Sequence, residues 1–395
     1  MPKNLLSGHD SRGLELPLPD AAAIAHSARL VDAIAARIED RGGVIGFDEY
    51  MQMALYEPGL GYYSAAAAKF GAPGDFVTAP EISPLFGFCL ARQAAAVIAQ
   101  GCSARILEFG AGSGKLCAQI LSNLPTLEHY QILDLSADLK QRQQSYLRAE
   151  LSAELFHKIE WLSSLPQEFD GIVLANEVLD AMPVHILSKQ GEWLERCIGY
   201  DGQGFTWQSI TPKQTVTDSI RSIEARLGDF AEGYQSELNL NYGPWLKALA
   251  QSCKRALVLI IDYGYEQDQY YHPSRARGTL TCHYQHRVHT DPLVYPGLQD
   301  ITAFVDFDAC ADAAETNGFV LSGLVTQGRF LLANGLLEEA QRWAQGNDSL
   351  LQLALSQQVG TLSLPQEMGD KFKVLAMQKN MTLELPAMQR RGTYG

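Results

Sequence analysis

The sequence predicts an α/β protein with a mostly parallel sheet, a helical N-terminal region and long insertions. From Ala104 onward, short apolar runs alternate with amphipathic stretches, the pattern of βαβ units. Runs such as Val258-Leu259-Ile260-Ile261 are apolar on both faces, as in a sheet covered by helices on both sides. The first run, in "RILEFGAGSGKL" (105–116), passes through glycines at 110, 112 and 114 straight into a helix.

Asp20 can cap a helix over "AAAIAHSARLVDAIAARIEDRGG". Ile24, Leu30, Val31, Ile34 and Ile38 recur at helical spacing, and Gly42-Gly43 ends it. "FDEYMQMALYEPG" predicts a second, short helix stopped by Pro58. "GLGYYSAAAAKFGAPGDFVTAPEIS" is rich in Gly, Pro and Tyr without a sustained period and predicts a structured loop. "PLFGFCLARQAAAVIAQG" predicts a third helix. Strands follow in "ARILEFG", "YQILDLS", "IEWL", "GIVLANE" and "RALVLIIDYG", with intervening helices clearest in "SADLKQRQQSYLRAEL". The fourth and fifth strands are separated by far more chain than a crossover needs, including a hairpin over "VHILSKQ…WLERCIGYD…FTWQSI" and two helices. "DACADAAETNG" predicts a helix, and "FVLSGLVTQ" and "KFKVLAMQKN" the last strands. The expected division is a helical cap region, 1–100, and a sheet domain, 101–395, with insertions at about 183–254 and 264–303.

Composition narrows the function. The net charge is -14 and no Lys/Arg run appears, which argues against a duplex nucleic-acid partner and suits a cationic one. Cysteines at 89, 102, 117, 197, 253, 282 and 310 form no C-x-x-C, the pattern of free thiols in a reducing compartment. The first residues hold no apolar h-region, and no stretch reaches membrane-spanning length, so the expectation is a cytoplasmic protein without a membrane partner.

Glycines between a strand and a helix let backbone approach a ligand, and the helix start adds partial positive charge. A second strand follows and ends in Asp134, an acid able to accept hydrogen bonds from both ribose hydroxyls. A ligand-free tight turn would also account for the glycines. If a nucleotide-type cofactor binds, two compete. NAD goes with G-x-G-x-x-G, but here the third glycine falls one position early and Glu108 precedes the loop. A carboxylate repels a pyrophosphate and suits the ammonium and sulfonium of S-adenosylmethionine, so E-x-G-x-G-x-G favours the methyl donor.

In "LANEVLDAMPV" (174–184), Asn176, Glu177 and Asp180 cluster just after the fourth strand, where open α/β sheets bind ligands. They could be a helix start, with Asn176 as cap and the acids complementing the dipole. Beside a methyl-donor site, Glu177 and Asp180 could instead grip a guanidinium in bidentate fashion. Cys282, His283, His286 and His289 in "CHYQHRVH" suggest a metal, but spacings of three on a strand put successive histidines on opposite faces, so no metal is expected.

"YEPGLGYYS", "GDFVTAPEIS", "LFG", "ILEFGAGSGKL", "ANEVLDAMPV", "IDYGY", "GTLTCHYQH" and "DITAFVDF" occur in order between residues 47 and 307. In these the chain closely resembles the MidA family of class I methyltransferases, which includes a mitochondrial complex I assembly factor and many bacterial proteins. The resemblance implies a seven-stranded Rossmann-like sheet and S-adenosyl-L-methionine as donor, held by Gly110, Gly112 and Gly114, with Asp134 on its ribose. It implies protein arginine methylation, with a respiratory-complex subunit as a candidate substrate, and puts Glu177 and Asp180 where the guanidinium is expected. It implies that "GDFVTAPEIS" closes over the donor through Asp75, Thr78 and Ser83. The chain departs from the family in carrying Asp134 where Glu is usual, and Phe304 where "TAHVDF" has His. A donor-binding assembly factor with little turnover, or a methyltransferase for a small molecule or another side chain, would share these motifs.

Overall fold

The structure, a computed structural model, describes residues 13–64, 78–134, 137–346 and 348–388. It divides into two compact units. One holds Val77–Leu179, Tyr242–Gly264 and Phe307–Gly395; the other holds Met1–Phe76, Asp180–Asn241 and Tyr265–Asp306. This grouping differs from a boundary at residue 100. The helix Pro84–Ile98 packs on Lys115–Asn123 within the sheet unit, whereas the first two helices share a core with the insertions.

The sheet unit is built on seven strands: β1 (Arg105–Phe109), β2 (His129–Leu133), β3 (Ile159–Leu162), β4 (Phe169–Asn176), β5 (Cys253–Tyr265), β6 (Val320–Thr326) and β7 (Phe372–Lys379). Their order is β3-β2-β1-β4-β5-β7-β6, and β7 alone of these runs antiparallel to its neighbours. All but two residues of β4 are buried, as both-face apolarity requires. The chain moves outward to one side from β1 to β3 and to the other from β4 to β5, so β1 and β4 flank the point where the order reverses. Ligand crevices in open α/β sheets form at the carboxyl ends of such strands. Between β6 and β7 the described residues form four helices that no sequence signal had marked: Gln327–Ala333, Leu336–Ala344, Ser349–Ser363 and Met368–Lys371.

In the other unit, the Asp20 side chain caps Ala21–Asp40 by accepting from the Ala23 N–H at 2.8 Å. Leu30, Ile34, Phe47, Tyr50 and Leu55 from the two helices form one core with Ile186 and Ile198. The expected hairpin is larger: His185–Gln190, Glu192–Tyr200 and Phe205–Ile210 form a meander, and Gln235–Leu238 and Ile45–Gly46 add further strands. "CHYQHRVH" is a hairpin and not a single strand. Gln285 and His286 take φ of 45° and 61°, a two-residue turn, and set Cys282 opposite His289. Alternation along one strand therefore does not govern these histidines. Among the described residues no helix is long and apolar enough to cross a membrane.

Candidate active site

Parallel register places the first residues beyond three neighbouring strands in one row. Phe109 pairs with Leu133 and with Ala175, so Gly110 leaves the sheet between Asp134 and Asn176. The row is tied by the Gly110 N–H, which donates to the Leu133 carbonyl at 3.1 Å. The glycines at 110, 112 and 114 have φ of 61°, 54° and 85°, in the left-handed region. A Cβ on Gly114 would meet Leu147 at 3.3 Å, whereas one on Gly112 would meet nothing within 4 Å among the described residues. Gly114 is therefore a packing glycine, and among the described residues Gly112 faces open space.

Glu108, 2% exposed, lies under this loop and accepts from the buried Tyr130 hydroxyl at 2.8 Å. Burial pushes its carboxyl up to about 8; the Tyr130 hydrogen bond opposes this, and the charge of Asp134 adds to it. Asp134 accepts from Gln143 Nε2 at 3.0 Å. The same nitrogen donates to the Gly112 carbonyl at 3.0 Å, and Gln143 Oε1 accepts from Trp161 Nε1 at 2.9 Å. Gln143 thus joins the glycine loop, Asp134 and the Trp161 indole within β3. Its sequence signal was a glutamine in register with Leu147 on the buried side of an otherwise polar helix. Glu81 is a second residue not read from sequence: its carboxylate accepts from Ser113 Oγ at 2.6 Å and from Lys115 Nζ, pinning the loop to the "TAPEIS" segment.

Beyond β4, the Glu177 N–H donates to the Ile261 carbonyl at 2.8 Å, and the residue then turns with φ of 52°. A left-handed glutamate costs energy, and the surroundings hold it. Asp262, fully buried at the end of β5, takes the Val178 and Leu179 N–H groups on Oδ2 at 3.2 and 2.9 Å, and the Tyr263 N–H on Oδ1 at 2.9 Å. Asn176 Nδ2 donates to Glu177 Oε1 at 3.3 Å. Asn176 Oδ1 is closed to solvent and accepts nothing among the described residues. The alternative reading of these residues as a helix start does not hold, since no helix follows β4 within 174–184.

Asp180, 6% exposed, belongs to the other unit, where its carbonyl accepts from the Ala303 N–H at 2.9 Å. Ser83 is buried and engaged within the protein: it caps Pro84–Ile98 and donates to Gln358 Oε1 at 2.7 Å. Thr78 precedes the short helix Ala79–Ile82 without capping it through its side chain. Asp75 lies outside the described residues. Among the described residues, the metal-type side chains whose ligand atoms converge are Asp48, His185 and Glu195, not the Cys282–His289 group.

Left-handed glycines, one facing open space, an acid beyond β2 and an unsatisfied buried amide oxygen in the same row fit a nucleoside-type cofactor such as S-adenosylmethionine. The comparisons agree. The family model of S-adenosyl-L-methionine-dependent methyltransferases matches residues 89–325. A COG1565 superfamily member from Burkholderia thailandensis, solved bound to S-adenosyl-homocysteine, is 41% identical with a TM-score of 0.88, covering 95% of this chain and 98% of that one. The mitochondrial protein arginine methyltransferase NDUFAF7 homolog of Drosophila melanogaster is 29% identical over 91% of this chain and 87% of its own length. Its Rattus norvegicus counterpart is 30% identical over 87% and 83%. The two arginine methyltransferase relatives are named as mitochondrial, which corrects the cytoplasmic expectation. All seven cysteines are buried and none is in a disulfide, a packing role that thiols can fill in any compartment. Sequence model, solved relative and site geometry converge, and this chain belongs to the MidA family of S-adenosylmethionine-dependent methyltransferases.

Proposed function

We propose that this chain transfers a methyl group from S-adenosylmethionine to an arginine side chain of a protein, with Glu177 as the acceptor's carboxylate. The observation that carries the proposal is Glu177 in a left-handed conformation at the carboxyl end of β4, beside the switch point of the sheet. The relatives' names supply the acceptor class. The bound donor supplies an electrophilic methyl on sulfur. A guanidinium arrives charged, and its nitrogens are poor nucleophiles. A carboxylate hydrogen-bonded to it holds positive charge on part of the group and leaves another nitrogen better able to attack. Gly112 and Asp134 are assigned to the donor, with Gln143 and Glu81 as positioning residues. Asp180 is left out because it is buried among the other unit's residues.

The test is labelled donor with lysate proteins, followed by mass spectrometry of the labelled bands. Label on arginine supports the proposal. Label on lysine, on a carboxylate or only on small molecules replaces the acceptor. Donor binding without transfer favours an assembly factor.

A further inference from the structure

A cavity of about 900 Å³ lies within the unit formed by the N-terminal helices and the insertions. Its wall includes Arg196, Arg275, Arg277, Trp207, Tyr265 and Phe304. In a chain of net charge -14, three arginines on one concave wall invert the average. None of the three forms an ion pair among the described residues.

Two of them are pre-set by stacking. The Arg196 guanidinium carbon lies 4.3 Å from the Trp207 ring centroid, and Trp207 is backed by Phe47 at 5.6 Å. The Arg275 carbon lies 3.9 Å from the Tyr265 centroid, and Tyr265 stacks with Phe304 at 5.6 Å. Each is a ring–ring–guanidinium triad. Arg196 also donates to Gln235 Oε1 at 2.8 Å, and Arg275 to the Gln269 carbonyl at 2.5 Å. A stacked guanidinium uses its face and keeps other N–H donors along its edge, the geometry that takes a carboxylate or phosphate.

The loop carrying Arg275 and Arg277 is itself fastened. Buried Glu237 accepts from the Thr279 N–H at 2.7 Å and the Thr279 hydroxyl at 2.9 Å. Gly278, at φ of 77°, packs so closely on Glu237 that a Cβ would collide with that carboxylate. Glu237 is thereby committed to the loop's own shape.

We propose that this cavity binds an acidic peptide segment of a protein partner, its side-chain carboxylates meeting Arg196, Arg275 and Arg277. Volume and lining favour a peptide over a free anion. Apolar Ile186, Leu280 and Pro292 share the wall, and a lone phosphate would leave them in water. The rings favour a peptide over a nucleotide, since Trp207 and Tyr265 already carry a guanidinium and a second ring each. The proposal rests on this unit's residues alone and does not depend on the identity of the methyl acceptor.

The experiment titrates the intact protein into fluorescein-labelled hexaglutamate at low and high salt and follows anisotropy. The expected result is binding that weakens with salt, no binding of hexaglutamine, and a loss of about tenfold or more in an Arg275→Gln/Arg277→Gln double variant. Arg277→Gln alone, at an exposed position, serves if the double variant fails to fold, with a smaller loss expected. Three outcomes overturn the proposal: no binding of hexaglutamate, unchanged affinity in the folded variants, or displacement of hexaglutamate by inorganic phosphate or ATP at lower concentration than by unlabelled hexaglutamate.

Discussion

The Tyr130 hydroxyl donates to the Glu108 carboxylate at 2.8 Å, and both side chains are buried beneath the glycine loop. Burial raises the Glu108 carboxyl from an ordinary 4.5 to about 8, so the folded protein binds a proton there that the unfolded chain releases. Its contribution to stability is full below about 4.5 and is lost as pH rises toward about 8. Urea unfolding at pH 5.5, 7 and 8.5 should show that decline in the wild type and a shallower one in Glu108→Gln. Parallel slopes for the two proteins would remove Glu108 as its source.

Gly112 and Gly114 share a left-handed backbone but not surroundings. Alanine at either position carries the left-handed penalty, about 1–2 kcal/mol. At 114 the new methyl also meets Leu147 at 3.3 Å, so Gly114→Ala should be the less stable variant by thermal melting. At 112 no atom of the described residues lies within 4 Å of the added methyl. Gly112→Ala should stay folded and lose donor affinity by calorimetry with S-adenosylmethionine. Unchanged affinity would mean that the space beside Gly112 is not where the donor lies.

His185 Nδ1 lies 2.7 Å from Glu195 Oε1 and 3.7 Å from Asp48 Oδ1. Burial disfavours its charge, but the Glu195 hydrogen bond and the charge of Asp48 outweigh burial and raise its pKa above 6.5. This contribution is fully present below about pH 6.5 and fades as pH rises through the folded value. His185→Gln should destabilise at pH 6 and matter less at pH 9. One divalent ion per chain in tag-free protein, found by elemental analysis, would instead make the trio a metal site.

The strands were legible because both-face apolarity leaves a parallel strand few alternatives, as at 258–261. The glycine loop and Asp134 were legible because their spacing reflects one βαβ unit. Gln143, Glu81 and Asp262 were not, since each acts on partners distant in sequence: Gln143 on Gly112 and Trp161, Glu81 on Ser113 and Lys115, Asp262 on the loop after β4. Asp262 stood inside the quoted "IDYGY" without a role, because nothing local shows whose N–H groups it accepts. Sequence sets Glu177 and Asp180 three residues apart at the end of one strand, but does not show that the chain passes from one unit to the other between 179 and 180.

Glu177 and Asp262 make separable predictions. Glu177→Gln keeps shape and removes charge, so the fold and donor affinity should hold, the latter within about threefold, while the methylation rate falls ~10²-fold, as for loss of a transition-state electrostatic contact. Asp262 touches neither reactant in this reading; it fixes the turn that presents Glu177. Asp262→Asn turns one acceptor oxygen into a donor, leaving at least one backbone N–H unpaired at a cost of about 1–3 kcal/mol. Its rate should fall with its melting temperature, and KM for the acceptor should rise, because the carboxylate at 177 survives but is no longer held in place. Asp180→Asn is the comparison: belonging to the other unit, it should slow transfer much less than Glu177→Gln. Rates measured at saturating donor on an identified protein acceptor decide the matter. If Asp180→Asn matches Glu177→Gln, the single-carboxylate reading fails. If Glu177→Gln folds, binds donor and methylates at the wild-type rate, Glu177 is a strained turn residue and the acceptor's carboxylate lies elsewhere.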